Sequence, residues 1–531
     1  MFQHFTKVFF IFFILIGIQY LAIAQQDSTK QQVRKINLRH ADVGLFDNIS
    51  GKSAQRLIGN VEAEHDGSLL FCDSAYLYGA NNSMDAFGHV HIIINDSLDL
   101  YGDQLFYNGN KKIAKFHENV RMVNKKATLY TDELVYNRNT SIGQYFIWGK
   151  IVDSTNVLTS KKGYYYSQLE TVFFKDSVVV VNPDYIMESD TLKYETNSER
   201  VYFFGPSTIT GDSSFLYAEN GFYDTQNKEA RLSQHAFIQK SSNTLSGDSI
   251  YYNKLEGISK AFRNVIMTDT TNDVLITGEF GLHNKKAKYA YIVDSAQAIF
   301  VDNQDSLFVH ADTLMITFDS LDKTKELKAY YRMKFYKESV QGIADSMVYV
   351  FADSNMSFYK EPMFWFDENQ VSSDKIELFT VNGDLDSAVF HRNVFLVSQD
   401  TVDPQYYNQV SGETMFAWFK DNDLRKIYMK GKSATIFFLW EEDGTPIGMN
   451  FIKSKDMLVY VYDQQLQSIT YIDKPEPVLL PLELVNTSND KLKGFIWKVD
   501  ERPMNRADIF KTYSKKQEIP EGKETKASTS L

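Results

Sequence analysis

The sequence predicts an all-β fold, an elongated array of about 13 strand-turn-strand repeats of about 29 residues, and three observations carry that prediction. An acidic residue recurs at near-constant spacing, an apolar residue and a tyrosine follow it at two and four places, and a polar turn follows the tyrosine. The phrase is plainest in "GDQLFYNGN" at 102–110, which returns as "TDELVYNRN" at 131–139 and "GDSIYYN" at 247–253.

With Asp103 as origin, the same phase holds Asp73, Asp103, Asp132, Lys161, Asp190, Glu219, Asp248, Glu279, Asp312, Asp345, Asp374, Glu413 and Asp456. Two places on stand Leu105, Leu134, Leu192 and Ile250, with Gly163, Gly221 and Gly281 in the same slot of three copies. Four places on stand Tyr107, Tyr136, Tyr165, Tyr194, Tyr223 and Tyr252, each 29 residues from the last. Polar residues such as Gln104 and Glu133 fall between, so the period is two, the signature of a strand with one buried and one wet face. A polar break such as "NGN" (108–110) or "NRN" (137–139) then turns the chain, because Asn and Gly tolerate turn conformations. A second apolar segment closes each unit. An isolated hairpin is marginal in water, so the units must stack and share a core.

In chain order, residues 1–24 read as a signal peptide: Lys7, an apolar run from Val8 to Ile18, then "AIA" ending at Ala24, with cleavage expected after it. Residues 25–35 form a polar leader. Regular repeats occupy 36–300 and looser ones 301–480. The span 481–511 lacks the phrase and is expected to cap the stack; 512–531 has the composition of a disordered tail. The export signal places the mature chain outside the cytoplasm, where the single cysteine, Cys72, forms no intrachain disulfide. A net charge of −12 gives no footprint for nucleic acid.

Signs of chemistry are sparse. No G-x-S-x-G, H-E-x-x-H or C-x-x-C pattern occurs. His89 and His91 in "GHVHI" share one side of a strand but lack a nameable third ligand, and are expected to face solvent. The acid column is read as structural, each carboxylate ending a bend and accepting from turn amides or a tyrosine hydroxyl. No catalytic residue, metal or cofactor is expected. The inward Leu and Tyr positions either fill a closed core or line a groove for a long apolar ligand, the three inward glycines leaving it room.

The segment "RLIGNVEAEHDGSLLFCDSAYLYGANNSMDAFGHVHII" at 56–93, with its G-N-V entry, L-x-x-D-x-A-x-Y phrase and second G-x-V, resembles the repeat of the OstA/LptA family of lipopolysaccharide-transport proteins. The resemblance implies a β-jellyroll whose lumen holds acyl chains of lipopolysaccharide or a related lipid. It also implies a periplasmic location, a bridge from inner to outer membrane, partners among the inner-membrane and outer-membrane transport proteins joined by edge-strand addition, and end-to-end self-association. The chain lacks the large barrel of the outer-membrane member and matches a longer soluble bridge. On this reading Leu105, Tyr107, Leu134, Tyr136, Tyr165, Leu192, Tyr194, Tyr223, Ile250 and Tyr252 line the groove. The alternative is an exported structural or adhesive repeat protein with a closed core and no lipid. A carbohydrate-active enzyme on a parallel β-helix would need a single cluster of acid, basic and aromatic residues that breaks the repeat, and the sequence reading finds none.

Overall fold

The computed structural model describes residues 34–511 except 50–51, 96–97, 213, 302–304, 382 and 463–464, so the signal-peptide and tail expectations lie outside the described residues. The described residues are almost entirely strand and turn, with three short 3-10 turns after residue 481 and no α-helix. No helix among them is long and apolar enough to cross a membrane. The chain divides into two compact units, residues 1–183 and 184–531.

Within each unit the strands form an antiparallel meander. In the first, Leu98–Asn108 pairs with Ser83–Asn95 before it and Ile113–Asn124 after it; in the second, Asn243–Asn253 pairs with Glu229–Lys240 and Ile258–Asp269. The turns fall where Asn and Gly predict them: Lys111 N–H donates to the side-chain oxygen of Asn108 at 2.9 Å, closing the turn after Tyr107.

The long strands also bulge midway, which the period-two reading does not anticipate. Opposite Asp103 the register jumps from Phe87↔Gln104 to Val90↔Gly102, leaving Gly88 and His89 to face the one acid. That extra residue is a β-bulge. Both bulge residues have left-handed backbone, and the pair recurs as Gly59–Asn60, Glu118–Asn119, Asp176–Ser177, Gln234–His235, Arg263–Asn264 and Arg392–Asn393. Asn and Gly visit this region at least cost, which is why they favour it.

The bulge shifts side-chain parity. Before it Leu98, Leu100 and Gly102 face inward; after it Leu105 and Tyr107 do, while Asp103 and Gln104 both face out. Both halves of the strand thereby present their apolar side chains to one interior while the strand bends around it.

The acid column ties off this bend. His89 bonds Asp73 at 2.7 Å, Asn119 bonds Asp103 at 2.5 Å, His235 bonds Glu219 at 3.0 Å and Asn264 bonds Asp248 at 3.0 Å. The partners are therefore side chains of the bulge on the next strand rather than the expected turn amides or tyrosine hydroxyls; Asp456, which accepts from Tyr428 and from Gly431 N–H, follows the expectation. Exposed pairs of this kind contribute about 1 kcal/mol or less each, so the column sets geometry more than stability.

The span expected to cap the stack runs instead along the outer face of the second unit, as a strap. Gln409, Gln370 and Gln341 each stand four places before an acid, an outward position, yet all are buried beneath it. Gln409 donates to Asp490 C=O and accepts from Leu492 N–H; Gln370 donates to Ile496 C=O and accepts from Lys498 N–H. Further along, Arg502 donates to Gln341 and Arg506 to Gln297, both at 2.7 Å. Under the start of the strap lies a second apolar cluster of Ile436, Phe438 and Met449, covered by Tyr406, Leu482, Val485 and Leu492.

Candidate functional site

The interior is built from the residues the repeat singles out. Leu105, Leu134, Leu192, Ile250, Tyr107, Tyr136, Tyr165, Tyr194 and Tyr223 are all buried, at 5 % exposure or less, and Tyr252 is half-buried. Each has the inward parity given by its strand, so within each unit the Leu and Tyr of successive repeats stand in line on alternate strands, with an inward residue of the intervening strand between them. Tyr107, for instance, sits opposite Met84 and Ala114, and Leu105 opposite Ala86 and Phe116.

The tyrosine rings fill the interior while their hydroxyls collect at the turn end. Tyr107 Oη lies 2.6 Å from His65 Nδ1 and accepts from Arg138 at 2.9 Å. Arg138 also donates to the carbonyls of His65 and Asp66. Tyr136 meets Ser167 at 3.3 Å, and Tyr165 accepts from the Asn124 amide. Burial pushes the Tyr107, Tyr165, Tyr223 and Tyr252 hydroxyls above the usual phenol range. They stay neutral and act as hydrogen-bonding ends of apolar side chains.

Methionines complete the lining, a feature the sequence reading passes over. Met84, Met122, Met187, Met347, Met415 and Met429 are buried. On the bulged strands the signal was present but weak: Met84 and Met122 occupy alternate places among apolar residues. A thioether chain with three rotatable bonds adapts its shape at little cost.

The lining is filled at its three inward glycines. A side chain at Gly163 would meet the Tyr145 ring at 2.4 Å, one at Gly221 the Arg231 carbonyl at 2.2 Å, and one at Gly281 a Val265 methyl at 2.9 Å. The inward glycines are thus filled by their neighbours rather than leaving a channel. Tyr145 occupies the space over both Gly149 and Gly163, its hydroxyl 2.7 Å from Ser160, and burial pushes that hydroxyl up to about 12.

Among the described residues no group of three or more His, Cys, Asp or Glu is placed to hold a metal ion. His89 is engaged with Asp73 at its bulge, and His91 bonds Asp99 at 2.8 Å while stacking on Tyr101, so the two histidines serve separate pairs. Burial drives the Cys72 thiol up to about 12, leaving it a poor nucleophile.

A search of curated proteins finds no match. Among solved structures, the chain is similar to LptH of Pseudomonas aeruginosa, described as the LptA homologous periplasmic component of the conserved lipopolysaccharide transport device. The two are 16% identical over 21% of this chain and 93% of that one, with a TM-score of 0.21. A family model described as OstA-like protein matches residues 33–190 and 191–297, the stretch that holds the regular repeats. Through those residues the chain belongs to the OstA-like protein family.

Proposed function

We propose that this chain is a non-enzymatic periplasmic lipid carrier that takes acyl chains of lipopolysaccharide, or a related lipid, into its apolar interior and serves as a bridge between inner and outer membrane. The observation that carries the reading is the in-register row of Leu, Met and Tyr side chains facing inward within each unit. Acyl chains resist water at about 25 cal/mol per Å² of apolar surface, so a carrier needs a continuous apolar lining rather than one pocket. The family match supports the same reading. For cargo to enter, the filled lining must part, and methionines are the side chains best suited to move.

Partners in the two membranes, or further copies of the chain, would dock at free strand edges. Among the described residues Asn37–His40 and Val43–Ile49 pair only with Lys52–His65, and Gln465–Ile472 and Glu476–Leu480 pair only with Pro446–Tyr462. Val43, Leu45 and Phe46 are exposed on the first of these edges. Such edges accept an added strand.

The filled glycines favour a second reading, a structural or adhesive protein with a permanently closed core. Mass spectrometry of lipid extracted from natively purified protein separates the two. The carrier reading expects a stoichiometric acylated lipid; a lipid-free protein whose depletion leaves outer-membrane lipopolysaccharide unchanged would establish the closed core instead.

A further inference from the structure

In one repeat the strand breaks where the long strands before it carry a two-residue bulge. It divides into Ile142–Tyr145 and Gly149–Val152, as the chain does again between Tyr289–Val293 and Gln297–Phe300 and between Asn355–Tyr359 and Met363–Phe366, and here Phe146, Ile147 and Trp148 stand exposed between the halves. The cause is local. Tyr145 turns inward over Gly149 and Gly163, two positions where no side chain would fit beside its ring. Trp148 has left-handed backbone with φ of 44° and is pinned by two hydrogen bonds, its N–H to Lys161 C=O at 3.0 Å and its C=O from Thr131 Oγ1 at 2.9 Å.

The break changes the acid opposite it. In the two preceding repeats the bulge supplies a donor, His89 to Asp73 and Asn119 to Asp103. Trp148 supplies none, and among the described residues Asp132 has no hydrogen-bond or ion-pair partner. Beside it on the outer face, Arg121, Tyr130, Lys150 and Thr159 stand directly opposite one another across four strands. Arg121 stacks on Tyr101 at 4.7 Å but, like Lys150, makes no ion pair among the described residues. Tyr130 and Trp148 are 42% and 55% exposed. Together these residues line an open cavity of about 480 Å³.

We propose that this cavity binds a sugar carrying one anionic substituent, a sugar phosphate being the type. The faces of Trp148 and Tyr130 suit the apolar C–H face of a pyranose. Asp132, acceptor-only when ionised, takes ring hydroxyls. Arg121 and Lys150 take the anion, Arg through its planar fork and Lys as a mobile point charge. A bare anion would be repelled by Asp132 and a neutral sugar would leave both cations unused, so the lining selects the combination. The site lies on the outer face and stands whether or not the interior carries lipid. The ligand is either a free sugar phosphate or the headgroup of a phosphoglycolipid.

Calorimetric titration of the full chain tests this with glucosamine 1-phosphate, glucosamine and inorganic phosphate, and with phosphatidylcholine vesicles bearing either a phosphoglycolipid or phosphatidylglycerol. Glucosamine 1-phosphate is expected to bind about tenfold tighter than either fragment. W148A, K150Q and D132N, all at exposed side chains, are expected each to weaken it about fivefold or more without shifting thermal unfolding. Binding of the phosphoglycolipid vesicles alone, abolished by W148A, assigns the headgroup as the source; binding of the soluble sugar phosphate assigns the free ligand. The proposal is overturned if neither binds, if the three variants bind as wild type does, or if phosphatidylglycerol vesicles bind equally well and glucosamine 1-phosphate does not displace them.

Discussion

Replacing Gln370 by Ala is expected to detach the middle of the strap while leaving the repeats folded. Gln370 is 1% exposed, and its amide makes three hydrogen bonds: to Ile496 C=O at 2.7 Å, from Lys498 N–H at 2.8 Å and from Trp365 Nε1 at 3.1 Å. Its net contribution is about 1 kcal/mol per bond, and the buried Trp365 N–H left without a partner adds a desolvation cost. The two bonds to the strap are worth about 2 kcal/mol of its local stability, while Gln409, Gln341, Arg502 and Arg506 still hold the strap on either side. Hydrogen–deuterium exchange reads this directly. Amides of 494–499 are expected to exchange about 30-fold faster, with strands of the first unit unchanged. Unchanged exchange across 494–499 together with a lowered melting temperature would refute the reasoning, because Gln370 would then be a core residue rather than an anchor.

Leu105→Ala is expected to cost about 2–5 kcal/mol as a buried truncation, whereas Asp103→Asn costs about 1 kcal/mol or less; urea unfolding of the two variants checks the ranking of interior over acid column. Gly163→Ala drives a methyl into the Tyr145 ring and is expected to destabilise the first unit by about 1–3 kcal/mol, measured by denaturant melts. Asp322, hydrogen-bonded by Lys240 and Lys288, is held down to about 2. A carboxyl whose pKa is lower folded than unfolded stabilises above its unfolded value and loses that stability as pH falls through the folded one. Melting temperature followed from about pH 4 to 2 is therefore expected to fall less steeply in Asp322→Asn than in wild type.

The strands, their turns and the inward residues were legible because a period of two and a period of 29 are both local. The bulges were missed although a signal stood in the sequence: a polar donor sixteen residues after the acid, as in Asp73 and His89, Asp103 and Asn119, Glu219 and His235, Asp248 and Asn264. Alternation alone does not reveal it, since the parity shift hides inside a run that stays apolar on average. The strap was illegible for a different reason. Its contacts join residues far apart in sequence, such as Lys498 with Gln370, and no repeat relates them. The looseness of the later repeats was the trace it left, because Trp365, Ile436 and Phe438 are apolar at outward positions that the strap covers. The outer cavity was likewise invisible. Tyr130, Trp148 and Lys150 follow no motif and meet only once the strand breaks at Tyr145.

The most direct test of the carrier reading places a photo-reactive amino acid at Leu134, buried and inward, and separately at its neighbour Glu133, exposed and outward, in cells making the full chain. The account predicts lipopolysaccharide adducts at Leu134 and none at Glu133. Adducts at both positions, or at neither, would contradict an interior that carries lipid.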